Sequence, residues 1–327
     1  MKKPKVFVTR MIPQTGIDLL RNVCDVEINP EDRALSREEL LEQITGRDGV
    51  IGLLTDRIDA EFFDAARGIK GYANFAVGFD NIDVAEATRR KIPVSNTPDV
   101  LTEATAEMAW ALLFAVARRL TETERIMRAG RWPGWGPLQF IGADIGGKTL
   151  GIFGAGRIGT SMALKSKGFN MNIIYCNPSP NETLEKELGA CKVSFEELLK
   201  QADFISIHVP LKPDTHHLFN AQAFQNMKPS AFLINTARGP IIHEAELVDA
   251  LKQGDIAGAA LDVYEFEPNM VSGLAELENA VTVPHLGSAT PSARDGMSAL
   301  AARNLLAMLQ GKPGPSCLNP EVFSVHP

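Results

Sequence analysis

The sequence predicts an α/β protein built from two doubly wound parallel sheets. Short β-rich runs alternate with helical stretches through nearly the whole chain. The alternation falls into two blocks, separated by a long apolar helical stretch and a loop of glycines, prolines and aromatics. The 327 residues exceed what one core comfortably holds, so two domains are expected.

In the first block the predicted strands are "KVFVT" (5–9), "DVEIN" (25–29), "GVIGLL" (49–54), "GYANF" (71–75) and "IPVSN" (92–96). Helices are expected around 14–22, 36–45, 59–66 and 83–90. A long helix then follows from about Leu101 to Ala129. Its middle, "MAWALLFAVA" (108–117), is apolar nearly all round, which predicts burial against another domain or another subunit. The loop "GRWPGWGPLQFIGADIGGK" (130–148) leads into the second block. That block has six predicted strands: "TLGIFG" (149–154), "NIIYC" (172–176), "DFISIHV" (203–209), "AFLINT" (231–236), "GAALDV" (258–263) and "VTVPH" (281–285). A last helix runs from about Pro291 to Gln310 and is expected to return to the first module, the chain crossing near 97–101 and again near 286–290.

Composition narrows the class. Apolar residues make up 45% and charged residues 22%, which is ordinary for a globular chain. The net charge is −7 and basic residues do not cluster, so no nucleic-acid partner is expected. Cys24, Cys176, Cys191 and Cys317 are scattered without metal or redox spacing. The start "MKKPKVFVTR" has no apolar leader core, and the run 108–117 is too short to cross a bilayer. A reducing cytoplasm and no membrane partner are the expectation. His208, His216, His217 and His243 show no metal-ligand spacing, and no metal is expected.

"GIFGAGRIG" fits the pattern G-x-G-x-x-G, placed after a β-rich run and opening a helix. Gly154 permits the tight turn, Gly156 lets backbone approach a pyrophosphate, and Gly159 lets helix pack close to strand. The helix N-terminus offers free N–H groups and a positive dipole end to phosphates. An acid usually stands about 20 residues later and binds the ribose 2′-OH of NAD. Here the residue is Asn177, which can bond a 2′-OH and repels no 2′-phosphate. Yet "NPSPN" (177–181) contains no Arg or Lys to attract one. Use of both NADH and NADPH, with modest discrimination, is the expectation.

Three more strand ends in the second block carry "INTARGP" (234–240), "LDVYEFEP" (261–268) and "VPHLGS" (283–288). Ligands bind outside the carboxyl ends of such strands, where Arg238, Glu267 and His285 fall. Singly, each has an ordinary structural explanation. Jointly, beside a dinucleotide loop, they suit hydride transfer to a 2-oxo acid. Arg238 offers a bidentate fork to a carboxylate, His285 a proton near neutral pH, and Glu267 an acceptor that steadies the imidazole.

With these stretches in place, the chain resembles the D-isomer-specific 2-hydroxyacid dehydrogenases. "NFAVGFDNIDV" (74–84), "TEATAEMAWALL" (102–113), "GIFGAGRIG", "NTARGP", "GAALDVYEFEP" and "PHLGSAT" carry the resemblance, in order and with matching spacing. It implies a Rossmann cofactor domain (101–286) inserted into a split flavodoxin-like substrate domain (1–100 and 287–327). It implies a homodimer through the long helix near 101–129, and Arg238, Glu267 and His285 as the catalytic set. The backbone of Val77 and Gly78 would receive the substrate carboxylate, with Leu53 near the substrate. Thr105, Arg157 and Ile158 would contact the cofactor phosphates, and Pro178 and Ser179 would join Asn177 at the ribose. Thr236, Ala237 and Asp262 would line the nicotinamide half.

Within that family the chain is most similar to glyoxylate/hydroxypyruvate reductases. Phosphite dehydrogenases carry a lysine where this chain has Val77. Phosphoglycerate and D-lactate types, and an NAD(H)-sensing corepressor-like binding protein, stay open as alternatives. Leu53, Leu54, Phe75 and Ala76 could form a small pocket or simply strand core. Trp132 and Trp135 could wall that pocket, from this chain or a partner, or pack at an interface.

Overall fold

The structure is a computed structural model that describes residues 2–324. The chain opens with β1 (Lys5–Val8), α1 (Gln14–Arg21), β2 (Asp25–Ile28), α2 (Arg37–Ile44), β3 (Gly49–Gly52), α3 (Ala60–Ala65), β4 (Tyr72–Asn74), α4 (Val84–Arg89) and β5 (Val94–Ser95). It continues through α5 (Thr102–Ala117), α6 (Leu120–Arg128), β6 (Thr149–Phe153), α7 (Arg157–Leu164), β7 (Asn172–Cys176), α8 (Glu182–Leu188), β8 (Cys191–Lys192) and α9 (Phe195–Gln201). Then come β9 (Phe204–Ile207), α10 (Ala221–Asn226), β10 (Phe232–Asn235), α11 (Glu244–Gln253), β11 (Gly258–Leu261), β12 (Ala280–Thr282) and α12 (Pro291–Leu309). The contacts divide it into two compact units, residues 1–101 with 289–327, and residues 102–288.

The described strands of the first unit form a parallel sheet in the order β2-β1-β3-β4-β5, the flavodoxin-like doubly wound order. Strands covered on both faces read as unbroken apolar runs, and Val6, Val8, Val50, Ile51 and Tyr72 are at most 1% exposed. Helix α12 belongs to this unit. The Gly16 N–H donates to Ser298 Oγ at 3.1 Å, and a Cβ on Gly16 would lie 2.3 Å from the Ser298 carbonyl. Glycine is therefore what lets α1 and α12 touch. Gly49 and Gly71 make the same allowance for Leu305 and Met308 against the sheet.

The second unit's described strands run β12-β11-β10-β9-β6-β7-β8, all parallel. The chain starts in the middle at β6, winds outward through β7 and β8, then crosses to β9 and winds the other way. The reversal opens a crevice at the carboxyl ends of β6 and β9. Strand β8 makes a seventh where six were expected; its two residues are exposed and give no apolar signal.

The expected helix 101–129 is two helices. Arg119 sits in the left-handed region at φ 55°, which costs about 1–2 kcal/mol for a non-glycine residue. Local bonds offset that cost. The Arg119 guanidinium donates to both carboxylate oxygens of Glu122 at 2.8 Å, and the Ala143 N–H takes the Ala117 carbonyl at 2.8 Å. The apolar middle of α5 packs on β10, β11 and α7 of its own unit, so it needs neither a second domain nor a second subunit to cover it. Exposed apolar side chains follow instead: Leu120, Met127, Trp132, Trp135, Leu138 and Ile141. No helix among the described residues is long and apolar enough to cross a membrane.

Candidate active site

The glycine loop lies at the reversal. Gly154 has φ +98°, and a Cβ there would meet Val209 at 2.7 Å and the His208 backbone at 2.8 Å. A Cβ on Gly159 would lie 2.1 Å from the Gly154 carbonyl, so only glycine lets α7 start so near β6. Gly156 differs: a Cβ there would meet nothing within 4 Å. It is the N-cap of α7, without a side-chain cap, and leaves the first amides of Arg157, Ile158 and Gly159 an open approach. Burial pushes His208 down to about 3, so the imidazole beside the loop is neutral and bonds Ser206 Oγ at 2.8 Å.

The loop after β7 holds Asn177, Pro178 and Ser179. Asn177 Nδ2 donates to the Ser179 carbonyl at 2.9 Å, which leaves its carboxamide oxygen as an acceptor. Asn181 ties this turn to the glycine loop, donating to the Ala155 carbonyl (2.9 Å) and Thr160 Oγ1 (2.8 Å) while capping α8. Lys192 on β8 reaches the Pro178 carbonyl with Nζ at 2.8 Å. Sequence reasoning missed Asn181 and Lys192, because both act across the fold.

Thr236, Ala237 and Arg238 follow β10. Buried Asn235 shapes this turn: its Oδ1 accepts from the Ala237 N–H and its Nδ2 donates to the Arg238 carbonyl, both at 2.9 Å. A polar residue closing an apolar strand is the signal that could have flagged it. Thr236 Oγ1 is buried without a hydrogen-bond partner among the described residues. A dinucleotide fits this end of the sheet: Gly156 leaves room for phosphates, and the Thr236 hydroxyl is an orphan that a ligand's polar edge would satisfy.

His285 and Glu267 meet. His285 Nδ1 lies 3.0 Å from Glu267 Oε2, and Glu267 Oε1 accepts from the Tyr264 N–H at 3.0 Å. Burial pushes the Glu267 carboxyl up, but the hydrogen bond and charge of His285, the Tyr264 N–H and the charge of Arg238 together bring it below its ordinary value. Arg238 therefore shares this cluster. His285 adopts φ +54°, a conformation costing about 1–3 kcal/mol. Asp262 helps to hold it there. The His285 N–H donates to the Asp262 carbonyl at 2.9 Å, while the Asp262 carboxylate accepts from the N–H groups of Leu286 and of Gly287 (2.7 Å). Burial raises the Asp262 carboxyl, even against those two donors and the nearby imidazole. Thr105 joins the same corner, since a Cβ on Gly287 would lie 3.0 Å from Asp262 Oδ2 and 3.4 Å from Thr105 Cγ2.

The loop bearing Glu267 is braced by a second acid. Buried Glu244 accepts from the N–H groups of Glu265 and Val271 on either side of it, and Glu265 bonds His217 Nε2 at 2.7 Å. His243 caps α11 through its ring nitrogen. Among the described residues no group of three His, Cys, Asp or Glu side chains is placed to hold a metal ion.

In the first unit Leu53 follows β3, and Val77 and Gly78 follow β4. Asn96 Nδ2 donates to the Val77 carbonyl at 2.7 Å and Asn74 Nδ2 to the Gly78 carbonyl at 3.0 Å. Among the described residues the two N–H groups donate to no protein acceptor. Phe75 and Ala76 are buried as strand-end core, whereas Leu53 and Leu54 are part-exposed. Trp132 and Trp135 are exposed in the second unit at 47% and 82%, so neither is packed within its own chain's core.

The family model "D-isomer specific 2-hydroxyacid dehydrogenase, NAD binding domain" matches residues 110–287. A glyoxylate reductase of Thermococcus onnurineus is 48% identical over 328 residues, covering 99% of this chain and 98% of that protein. The crystal structure of the TT0316 protein from Thermus thermophilus superposes with a TM-score of 0.89 at 42% identity, over 96% of this chain and 99% of that one. An NADPH-dependent glyoxylate/hydroxypyruvate reductase from Sinorhizobium meliloti, in complex with NADP and malonate, gives 0.86 at 30% identity over both whole chains. With a glycine loop at the sheet's reversal and an Arg–Glu–His cluster beside it, this chain belongs to the D-isomer-specific 2-hydroxyacid dehydrogenase family.

Proposed function

We propose that the protein reduces a small 2-oxo acid, glyoxylate or hydroxypyruvate, to the D-2-hydroxy acid with NADH or NADPH. The observation that carries this is the His285–Glu267 pair: Nδ1 is engaged by the carboxylate, and among the described residues Nε2 has no protein partner. His285 Nε2 delivers the proton to the substrate oxygen as it becomes an alkoxide. Glu267 fixes the ring and stabilises its charged form. Arg238 binds the substrate carboxylate through its guanidinium, and Val77 and Gly78 offer backbone N–H groups for the same charge. Leu53 contributes apolar surface next to the substrate. A bound nicotinamide supplies the hydride.

For the cofactor, Gly154, Gly156, Arg157, Ile158, Gly159 and Thr105 serve the phosphates, Asn177, Pro178 and Ser179 the ribose, and Thr236, Ala237 and Asp262 the nicotinamide half. The second unit is then the cofactor domain and the first the substrate domain. The relatives named as glyoxylate reductases support this choice of substrate, and the NAD-binding family model together with the NADPH-dependent neighbour supports considering both cofactors. A homodimer belongs to the same proposal, favoured by the exposed apolar side chains between Leu120 and Ile141, as does a reducing cytoplasmic setting for the free cysteines.

The test is loss of NADH or NADPH absorbance on adding glyoxylate or hydroxypyruvate. Turnover with either acid is expected. No turnover across a panel of 2-oxo acids, with NAD(H) still bound, would replace the enzyme by a corepressor-like sensor. Light scattering tests the dimer.

A further inference from the structure

The turn after β7 lacks a cation in sequence, yet the fold brings one to it. Lys192 pairs with Tyr175 across the β7–β8 ladder, and the Val193 N–H donates to the Tyr175 carbonyl at 2.9 Å. This register aims Lys192 along the carboxyl end of β7, where Nζ donates to the Pro178 carbonyl at 2.8 Å. Among the described residues Lys192 makes no ion pair, and its charge lowers the Cys176 thiol at the strand end against the larger effect of burial. Asn177 beside it is neutral and spends its amide hydrogens on Ser179. Glu196 on α9 is the opposing charge, acting on the same thiol in the other direction.

We propose that Lys192 is the specificity residue for the 2′-phosphate of NADPH. This rests on the proposed dual cofactor use and names its source: Asn177 admits the 2′-phosphate and Lys192 attracts it. An ammonium on a carbonyl keeps two further N–H donors, enough to bond a phosphate oxygen without leaving its anchor. The exposed setting limits the gain to about tenfold and makes it sensitive to salt.

The experiment is calorimetric titration of the full chain with adenosine 2′,5′-bisphosphate and with adenosine 5′-phosphate, for the unsubstituted protein and for Lys192→Met, Lys192→Arg and Glu196→Gln. Lys192→Met is expected to weaken the bisphosphate about tenfold and the monophosphate less than twofold. Lys192→Arg should keep the bisphosphate within about threefold, and Glu196→Gln should strengthen it by less than Lys192→Met weakens it. The NADPH/NADH ratio of kcat/KM with glyoxylate should fall about tenfold in Lys192→Met. Equal weakening of both nucleotides would show that Lys192 merely braces the turn, and no change in either would remove it from the site. Both results overturn the proposal while turnover with NADH leaves the hydride-transfer reading intact. Failure of turnover with both NADH and NADPH in the unsubstituted protein sinks that reading instead, and the nucleotide titrations still decide the role of Lys192.

Discussion

Each unit carries a buried aspartate just past the carboxyl end of a strand, and the two are used differently. In the first unit Asp56, 4% exposed, accepts from Thr9 Oγ1 (2.6 Å) and the Leu53 N–H (2.8 Å), both on Oδ2. Its surroundings are neutral. Asn81 Nδ2 donates to the carbonyls of Leu53 (3.1 Å) and Asp56 (2.9 Å), and its Oδ1 accepts from Asn74 Nδ2 at 3.1 Å. In the second unit Asp262, fully buried, uses both oxygens for backbone N–H groups and lies in the field of His285 and Glu267. The first unit thus fixes backbone loops with amides, while the second fixes the His285 imidazole with charges. Under the proposed function, the first unit's loops would offer backbone N–H groups to the substrate, while the second unit would carry both Arg238 and the proton.

The strongest way to break the contrast is at the proton. His285→Ala should lower kcat by about 10²–10⁴-fold, the usual contribution of a general acid, with the melting temperature little changed. Survival of turnover within a few-fold would remove His285 from that role.

The amide side of the comparison is tested at Asn81. Asn81→Ala leaves the Asp56 carbonyl without its side-chain donor and the Leu53 carbonyl with only the Asp56 N–H, and through Asn74 it loosens the turn that carries Val77 and Gly78. KM for glyoxylate should rise about tenfold, with kcat changed by less than about threefold. A fall in kcat with unchanged KM would mean that this network serves the chemical step.

These two networks also show what the sequence could reveal. Gly154, Gly156 and Gly159 were legible because each answers to a local demand: a positive φ, an open approach or a close helix. The strands were legible because burial on both faces writes an unbroken apolar run. The break at Arg119 was not, because it depends on Ala143, 24 residues further on, taking a helix carbonyl. Strand β8 was invisible for the opposite reason, being two exposed residues that pair only because β7 offers an edge. Arg238, Glu267 and His285 could be chosen from their places at strand ends. Asn235, Tyr264 and Glu244, which hold them, bond through partners distant in sequence or through backbone groups that a sequence does not display.

Removing the charge at Asp262 sharpens the comparison on the stability scale. Asp262→Asn keeps one acceptor for two N–H groups, so either Leu286 or Gly287 is left facing an amide nitrogen. The expected cost is about 1–3 kcal/mol in urea unfolding. A neutral result would mean that the turn after β12 does not depend on both bonds.

The smallest effect, and the one with a sign, belongs to Asp56→Asn. Oδ2 alone makes both described side-chain bonds, so an asparagine oxygen can replace it, and the change at neutral pH should stay within about 1 kcal/mol. Burial raises the Asp56 carboxyl against the bonds from Thr9 and Leu53. The folded state therefore holds this proton more tightly than the unfolded state does. Stability is lost as pH rises from the ordinary aspartate value through the raised one, because a buried charge then forms. The carboxamide of the Asp56→Asn variant never forms that charge, so the variant should gain on the unsubstituted protein as pH rises through this window. Below about pH 3, where aspartate is largely neutral in both states, the pH-dependent part of the difference should vanish. Asp262 titrates in both proteins and cancels in the difference. Unfolding midpoints measured from acid to neutral pH decide it, and a variant that loses ground as pH rises would mean that the Asp56 charge is stabilised by its neutral amides after all.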